Sequence, residues 1–226
     1  MTMPEQSISP SRKARLPGLD AEATPVIGLG LGLTGLIFGF RPRLAPVSLA
    51  LTAAAALLYR DPERTTPVEE STLFAPADGT VVAIEELYEH RFLHTDAVRL
   101  TIAVSPIDVP VHRSPVSGTV AYLEHIPGVY RSMLDLRFND QGERQYIGIK
   151  TSWGPLLMSI VAGSLGRRLE CQVSLGDEIQ AGARLSKVRF GSRVELLLPR
   201  DAVEDLPAIG EHVRAGTSRI GVIVPL

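Results

Sequence analysis

Cysteine is nearly absent from this chain. Cys171 is the one cysteine in 226 residues, which excludes any intramolecular disulfide framework. It lies between Glu170 and Gln172 in a strand-like run and reads as a small structural hydrophobe. An excess of charge is missing too. The formal net charge is -2, with 21% charged residues, and a nucleic-acid binder would carry a basic surplus. Helical periodicity is scarce beyond the N-terminal quarter, with residues 129–136 as the one further helical candidate. Charge disappears altogether from two stretches, residues 24–40 and 44–59.

Those two stretches set the organisation of the N-terminal part. Residues 1–20 are polar, rich in Pro and Ser, and carry a basic cluster at Arg12, Lys13 and Arg15. They are expected to be a disordered tail. Residues 21–60 are expected to form an apolar helical hairpin that anchors the chain to a membrane, its two uncharged runs separated by Arg41-Pro42-Arg43. Each apolar run is slightly shorter than the roughly 20 residues of a perpendicular span. A pair of short crossing helices and a re-entrant or interfacial anchor therefore both fit, and the two arginines in the turn weigh toward the anchor. Gly28, Gly30, Gly32 and Gly35 would let the helices approach closely. Basic residues flank both outer ends, the cluster from Arg12 to Arg15 before and Arg60 and Arg64 after. This places both ends on the cytoplasmic face of the cell membrane. A signal peptide fits poorly, because the apolar stretch starts late and a second follows at once.

Residues 61–226 read as one mainly β domain, a barrel or sandwich. After a charged linker with two prolines come short alternating runs at 79–87, 97–104, 118–126, 144–151, 156–163, 167–174, 187–199 and 219–226. The pattern G-[DE]-x-[IV]-x-A-G occurs at residues 176–182 and again at 210–216, and the paired strand starts at Asp78-Gly79-Thr80-Val81 and Ser117-Gly118-Thr119-Val120 are also alike. Such elements are lipoyl-like, of the hammerhead type. Their glycines supply positive φ at tight turns, and their acidic residues cap the loops. No lysine stands at a hairpin tip, which counts against a carrier role.

The run KVRFGSRVELLLP, residues 187–199, alternates as a strand but holds Gly191 and Ser192 at its middle. A glycine inside a strand marks a bulge or a close backbone approach. It would also leave the Gly191 carbonyl open to attack by the neighbouring Ser192 hydroxyl.

Several motifs occur in a set order: RDPER (60–64), FAPADGTV (74–81), SPIDVPVHRSPVSG (105–118), GERQ (142–145), VAG (161–163), LGDEIQAG (175–182) and RFGSRVELLLP (189–199). Together they resemble the phosphatidylserine decarboxylases, in their short membrane-anchored form. The resemblance implies a proenzyme that cuts itself between Gly191 and Ser192 into chains 1–191 and 192–226, which remain partners. Ser192 becomes a pyruvoyl group, the sole cofactor, with no metal. That carbonyl captures the amine of phosphatidylserine and accepts the electrons released as CO2 departs, giving phosphatidylethanolamine. Asp78 matches the family's acidic residue and is expected to serve as the base for self-cutting, although alone it reads as a turn residue before Gly79.

The pattern departs from the family at one place. The family reads Asp-Val-His-Val-Asn-Arg-x-Pro, whereas here Pro110 replaces the histidine and His112 replaces the asparagine. In a strand, positions 110 and 112 share a face about 6.6 Å apart, so His112 is expected in the catalytic pocket. Arg113 and Arg193 are candidates for the substrate's phosphate or carboxylate, beside the reading of plain strand charges. Glu143 and Arg144 are expected to form a turn that is structural or lines the pocket. His90, His94, His125 and His212 match no motif and are read as surface residues. The expected partners are the phospholipid substrate and the membrane, and a homodimer would suit an anchored β domain. Two alternatives remain: a non-enzymatic membrane-anchored hammerhead adaptor, and a decarboxylase homologue with another head group as substrate.

Overall fold

A computed structural model describes residues 18–20, 22–69, 71–128, 142–163 and 169–224. The expected tail up to residue 17 and the helical candidate at 129–136 lie outside the described residues. Two compact units divide the chain, Met1–Pro62 and Glu63–Leu226.

The first unit holds helix α1 (Ala23–Phe40), a 3-10 turn (Pro42–Leu44) and helix α2 (Ala45–Leu57). Pro42 opens the turn and Pro46 sits in the first turn of α2, where a missing N–H costs nothing. The 18 residues of α1 are long and apolar enough to cross a membrane, whereas α2 is shorter. Of the four glycines expected to bring the helices together, Gly30 alone has a neighbour. A Cβ there would stand 2.5 Å from Thr52 Oγ1, while Gly28, Gly32 and Gly35 face open space. Beside this contact the Thr34 and Ser48 hydroxyls hydrogen-bond at 2.9 Å, the kind of polar link that holds helices in an apolar surrounding.

The second unit is mainly β. Its strands are β1 (Thr72–Phe74), β2 (Gly79–Glu89), β3 (Thr95–Val104), β4 (Val111–Arg113), β5 (Gly118–Ile126), β6 (Arg144–Lys150), β7 (Pro155–Ala162), β8 (Leu169–Cys171), β9 (Glu178–Ile179), β10 (Arg184–Val188), β11 (Ser192–Pro199), β12 (Val203–Glu204), β13 (His212–Val213) and β14 (Arg219–Ile223). Eight of them form a curled, half-barrel sheet in the order β13-β2-β3-β11-β7-β6-β5-β9, and two three-stranded sheets run β1-β14-β12 and β4-β10-β8. The alternation of β11 explains its place at the centre. Val194, Leu196 and Leu198 join the main core with Leu100, Ile102, Met158 and Ile160, and with Leu73, Leu185 and Ile220 from the small sheets. Leu197 lies on the opposite face, with Leu93, Ala97, Tyr146 and Leu157 in a second cluster. Residues 187–199 are not one strand. The chain leaves β10 at Val188 and starts β11 at Ser192. Cys171 is exposed, not the buried hydrophobe expected, because β8 ends at the sheet surface with the thiol over the Val173 carbonyl at 3.5 Å.

The two hammerhead elements are built alike, bond for bond. Gly176 and Gly182 in one, and Gly210 and Gly216 in the other, all have positive φ. Asp177 accepts the Ser174 N–H at 2.8 Å and Glu211 accepts the Ala208 N–H at 3.2 Å, so each acidic residue caps its loop. The Val120 N–H donates to the Asp177 carbonyl and the Val81 N–H to the Glu211 carbonyl. The Gly182 N–H bonds the Ser114 carbonyl and the Gly216 N–H the Ala75 carbonyl, both at 2.8 Å. Thr66 is wedged against both glycines. A substitution test follows from their surroundings. Gly176→Ala and Gly182→Ala both force a side chain into left-handed backbone at a cost of about 1–2 kcal/mol. A Cβ at 176 meets open space, whereas one at 182 collides with Thr66. Denaturant unfolding of the full chain should show Gly182→Ala as clearly the more destabilised. Equal losses would mean that Thr66 yields freely.

Candidate active site

Ser192 opens β11 and is paired on both sides, with Val104 of β3 and with Ala162 of β7. Just before it the backbone is strained. Phe190 has φ 64 and Gly191 φ 89, two consecutive residues in a region that side chains avoid. This turn carries the chain from the β10 sheet into the eight-stranded sheet. It also directs the Gly191 carbonyl at the Gly163 N–H, which donates to it at 3.2 Å. Any Cβ at 163 would stand 2.9 Å from that oxygen, so the close approach requires glycine at the end of the VAG run.

Across from Ser192 stands His112 on β4. Its Nε2 lies 3.0 Å from Ser192 Oγ and its Nδ1 2.9 Å from Ser186 Oγ. Ser186 is the cross-strand partner of His112 in the β4–β10 pair. All three residues are fully buried. Burial pushes the His112 pKa down to about 4, and the nearby Asp78 charge offsets only part of this. The imidazole is therefore neutral at pH 7, with one nitrogen free to accept a proton. Pro110 precedes β4, is buried, and accepts the Val188 N–H on its carbonyl at 3.0 Å.

Asp78 does not touch Ser192. Arg64 grips its carboxylate with two nitrogens, at 2.5 and 2.7 Å, and the Ala215 N–H donates to Oδ1 at 2.8 Å. Arg64 also donates to the Ala215 carbonyl at 2.8 Å. The counterpart of Asp78 in the other hammerhead element is Ser117, whose hydroxyl accepts the Ala181 N–H at 3.0 Å. Asp78 thus holds the turn that Ser117 holds in its half, and in addition sets a negative charge near His112. No hydrogen bond joins Asp78 to Ser192 or His112 among the described residues.

The two arginine candidates for the substrate's anionic groups both have protein partners. Arg113 is buried and donates to the Gly182 carbonyl at 2.9 Å, between the hammerhead turns. Arg193 projects from the opposite face of β11 to Ser192 and forms an ion pair with Glu195 at 2.9 Å. Glu143 pairs with His125 at 3.1 Å and Arg144 donates to the Tyr146 hydroxyl at 3.0 Å, both holding the strands around them. His90, His94, His125 and His212 are exposed. Sequence reasoning passed over three residues of the site: Arg64, Gly163 and Ser186. The first two stand inside motifs already singled out, RDPER and VAG. Ser186 is a small polar residue in β10, a strand that also carries Arg184 and Lys187, and nothing in its spacing connects it with position 112.

The family model for phosphatidylserine decarboxylase matches residues 51–221. The chain belongs to the phosphatidylserine decarboxylase family. The match takes in Asp78, His112, Gly191 and Ser192. Among similar curated proteins are three phosphatidylserine decarboxylase proenzymes. That of Symbiobacterium thermophilum is 36% identical over 208 residues, covering 92% of this chain and 96% of the relative. That of Chlorobium phaeobacteroides is 35% identical over 193 residues, with coverages of 84% and 90%. That of Salinibacter ruber is 40% identical over 182 residues, with coverages of 78% and 80%.

The buried imidazole makes stability depend on pH in a defined window. An unfolded histidine titrates near 6.5 and the folded His112 near 4. Above about 6.5 neither state binds the proton and His112 contributes no slope. As pH falls from there toward 4, the unfolded chain gains a proton that the folded chain refuses, and stability drops by up to about 3 kcal/mol. In uncut Ser192→Ala protein, the loss of stability between pH 7 and pH 4.5 should be smaller once His112→Asn is added. The same loss in both proteins would show that His112 titrates normally.

Proposed function

We propose that this chain is a self-cutting phosphatidylserine decarboxylase whose processed form carries a pyruvoyl group in place of Ser192. The observation that carries this reading is the contact of a neutral buried imidazole, His112 Nε2, with the hydroxyl of the serine that follows Gly191, at 3.0 Å. A histidine in that state is a competent general base. It takes the Ser192 Oγ proton as the oxygen bonds to the Gly191 carbonyl carbon. The Gly163 N–H, already on that carbonyl oxygen, meets the negative charge as it develops. The C–N bond then breaks, leaving an ester at Gly191 and a free amine at Ser192. Loss of the Ser192 Cα proton expels the Gly191 carboxylate and leaves dehydroalanine. Its enamine form tautomerises, water adds, and ammonia departs to give the pyruvoyl group. Strain at Phe190 and Gly191 favours leaving the uncut state.

In this reading His112, rather than Asp78, takes the serine proton. Asp78 supplies the negative charge that favours the imidazolium once formed, and Arg64 fixes where that charge sits. The pyruvoyl group, when formed, supplies the electron sink for loss of CO2 from phosphatidylserine. Position 192 suits it, because the residue is fully buried and a carbonyl there would be shielded from water. The two product chains stay together because residues 192–226 include β11, hydrogen-bonded on both sides in the eight-stranded sheet. A lipid substrate accords with the apolar α1, and the arginines flanking the hairpin favour the cytoplasmic face.

Intact-mass analysis of purified protein should give two chains, residues 1–191 and a 192–226 chain with a blocked, ketone-bearing N-terminus. One uncut chain would overturn the reading. Ser192→Ala should abolish cleavage, and a cut at 191/192 in that variant would assign it to a protease. Gly163→Ala should slow cleavage by about tenfold or more, and an unchanged rate would remove Gly163 from the reaction.

A further inference from the structure

We propose that Ser186 is a positioning residue for self-cutting: its hydroxyl accepts the Nδ1 proton of His112 and keeps the Nε2 lone pair facing Ser192. This rests on the reading of His112 as the base. A neutral imidazole holds one proton, and it can take the serine proton at Nε2 only when that proton sits on Nδ1. Both ring nitrogens face hydroxyls at nearly equal distances, 2.9 Å to Ser186 and 3.0 Å to Ser192. Either hydroxyl can donate or accept, so the ring itself does not select the tautomer.

Ser186 creates the choice. It is the hydrogen-bond partner of Nδ1, in a pocket closed to water. Remove its hydroxyl and an Nδ1 proton is buried with no acceptor, a state that proteins avoid. The ring then keeps its proton on Nε2, donating to Ser192 Oγ, and ceases to be a base toward it. With Ser186 present the active tautomer has a partner. The imidazolium formed during attack also has an acceptor at Nδ1. Placement is secured by the backbone, because Ser186 and His112 are directly opposed in the β4–β10 pair, just past a register shift that begins at Arg184.

The test uses the full chain. Nitrogen-15 imidazole spectra of the slow-cutting Gly163→Ala proenzyme, recorded before it cuts and with both hydroxyls in place, should show His112 protonated on Nδ1. Protonation on Nε2 would overturn the proposal, and this measurement needs no change at position 186. In parallel, Ser186→Ala should slow self-cutting by about tenfold to a hundredfold without changing the far-ultraviolet circular dichroism. Ser186→Thr, which keeps the hydroxyl, should recover most of the rate. A folded Ser186→Ala protein that cuts at the wild-type rate would overturn the proposal. If it fails to fold, the tautomer measurement decides. The outcomes separate from those of the function itself. Wild-type protein that forms the pyruvoyl group while Ser186→Ala keeps pace refutes Ser186 alone, whereas wild-type protein that never cuts refutes the decarboxylase reading.

Discussion

The hydrogen bond between His112 and Ser192 is the contact on which the candidate site depends. It joins residues 80 positions apart, and they belong to different sheets. His112 is supplied by the small sheet β4-β10-β8 and Ser192 by the central strand of the large one. Both sheets pack into one core, so the site is closed to water by the same side chains that make the fold stable. That closure lowers the histidine's proton affinity and leaves it neutral. The hydroxyls of Ser186 and Ser192 are then the partners that satisfy its two nitrogens in an otherwise apolar setting.

The doubled hammerhead architecture explains the odd position of Asp78. Two equivalent turns need an acceptor for two equivalent N–H groups, of Ala181 and of Ala215. One half uses the neutral Ser117. The other uses a carboxylate, which requires a counterion when nearly buried, and Arg64 from the linker meets that need. The result is a charged pair near the buried His112 where its twin position has only a hydroxyl. A scaffold turn has acquired an electrostatic role without losing its structural one.

The strained turn at Phe190 and Gly191 shows how a single stretch can serve both fold and chemistry. The chain must step from β10 to β11 across two sheets within three residues. Left-handed backbone makes the step, and it presents the Gly191 carbonyl to Gly163. Cutting there would release the strain while leaving the pairings of β11 from Arg193 onward intact, because the bond lies at the start of the strand.

Much of the architecture was legible from residue pattern. The apolar hairpin, the strand at 118–126 and the paired hammerhead turns follow from local rules of hydrophobic period, turn glycine and loop cap. The family was equally readable, since its signature resides in contiguous motifs. Other features depend on distant residues meeting. The break of residues 187–199 into two strands, the burial of Arg113 and the exposure of Cys171 follow from which sheet each segment joins. The contact of His112, rather than Asp78, with Ser192 is likewise tertiary. Asp78 is already held by Arg64 and Ala215, and His112 reaches Ser192 only because β4 packs over the start of β11. Sequence by itself determined that a glycine and a serine stand side by side at 191 and 192. Three-dimensional packing decided which group stands over the serine, because the hydrogen bonds and desolvation that make a base exist only between segments brought together by folding.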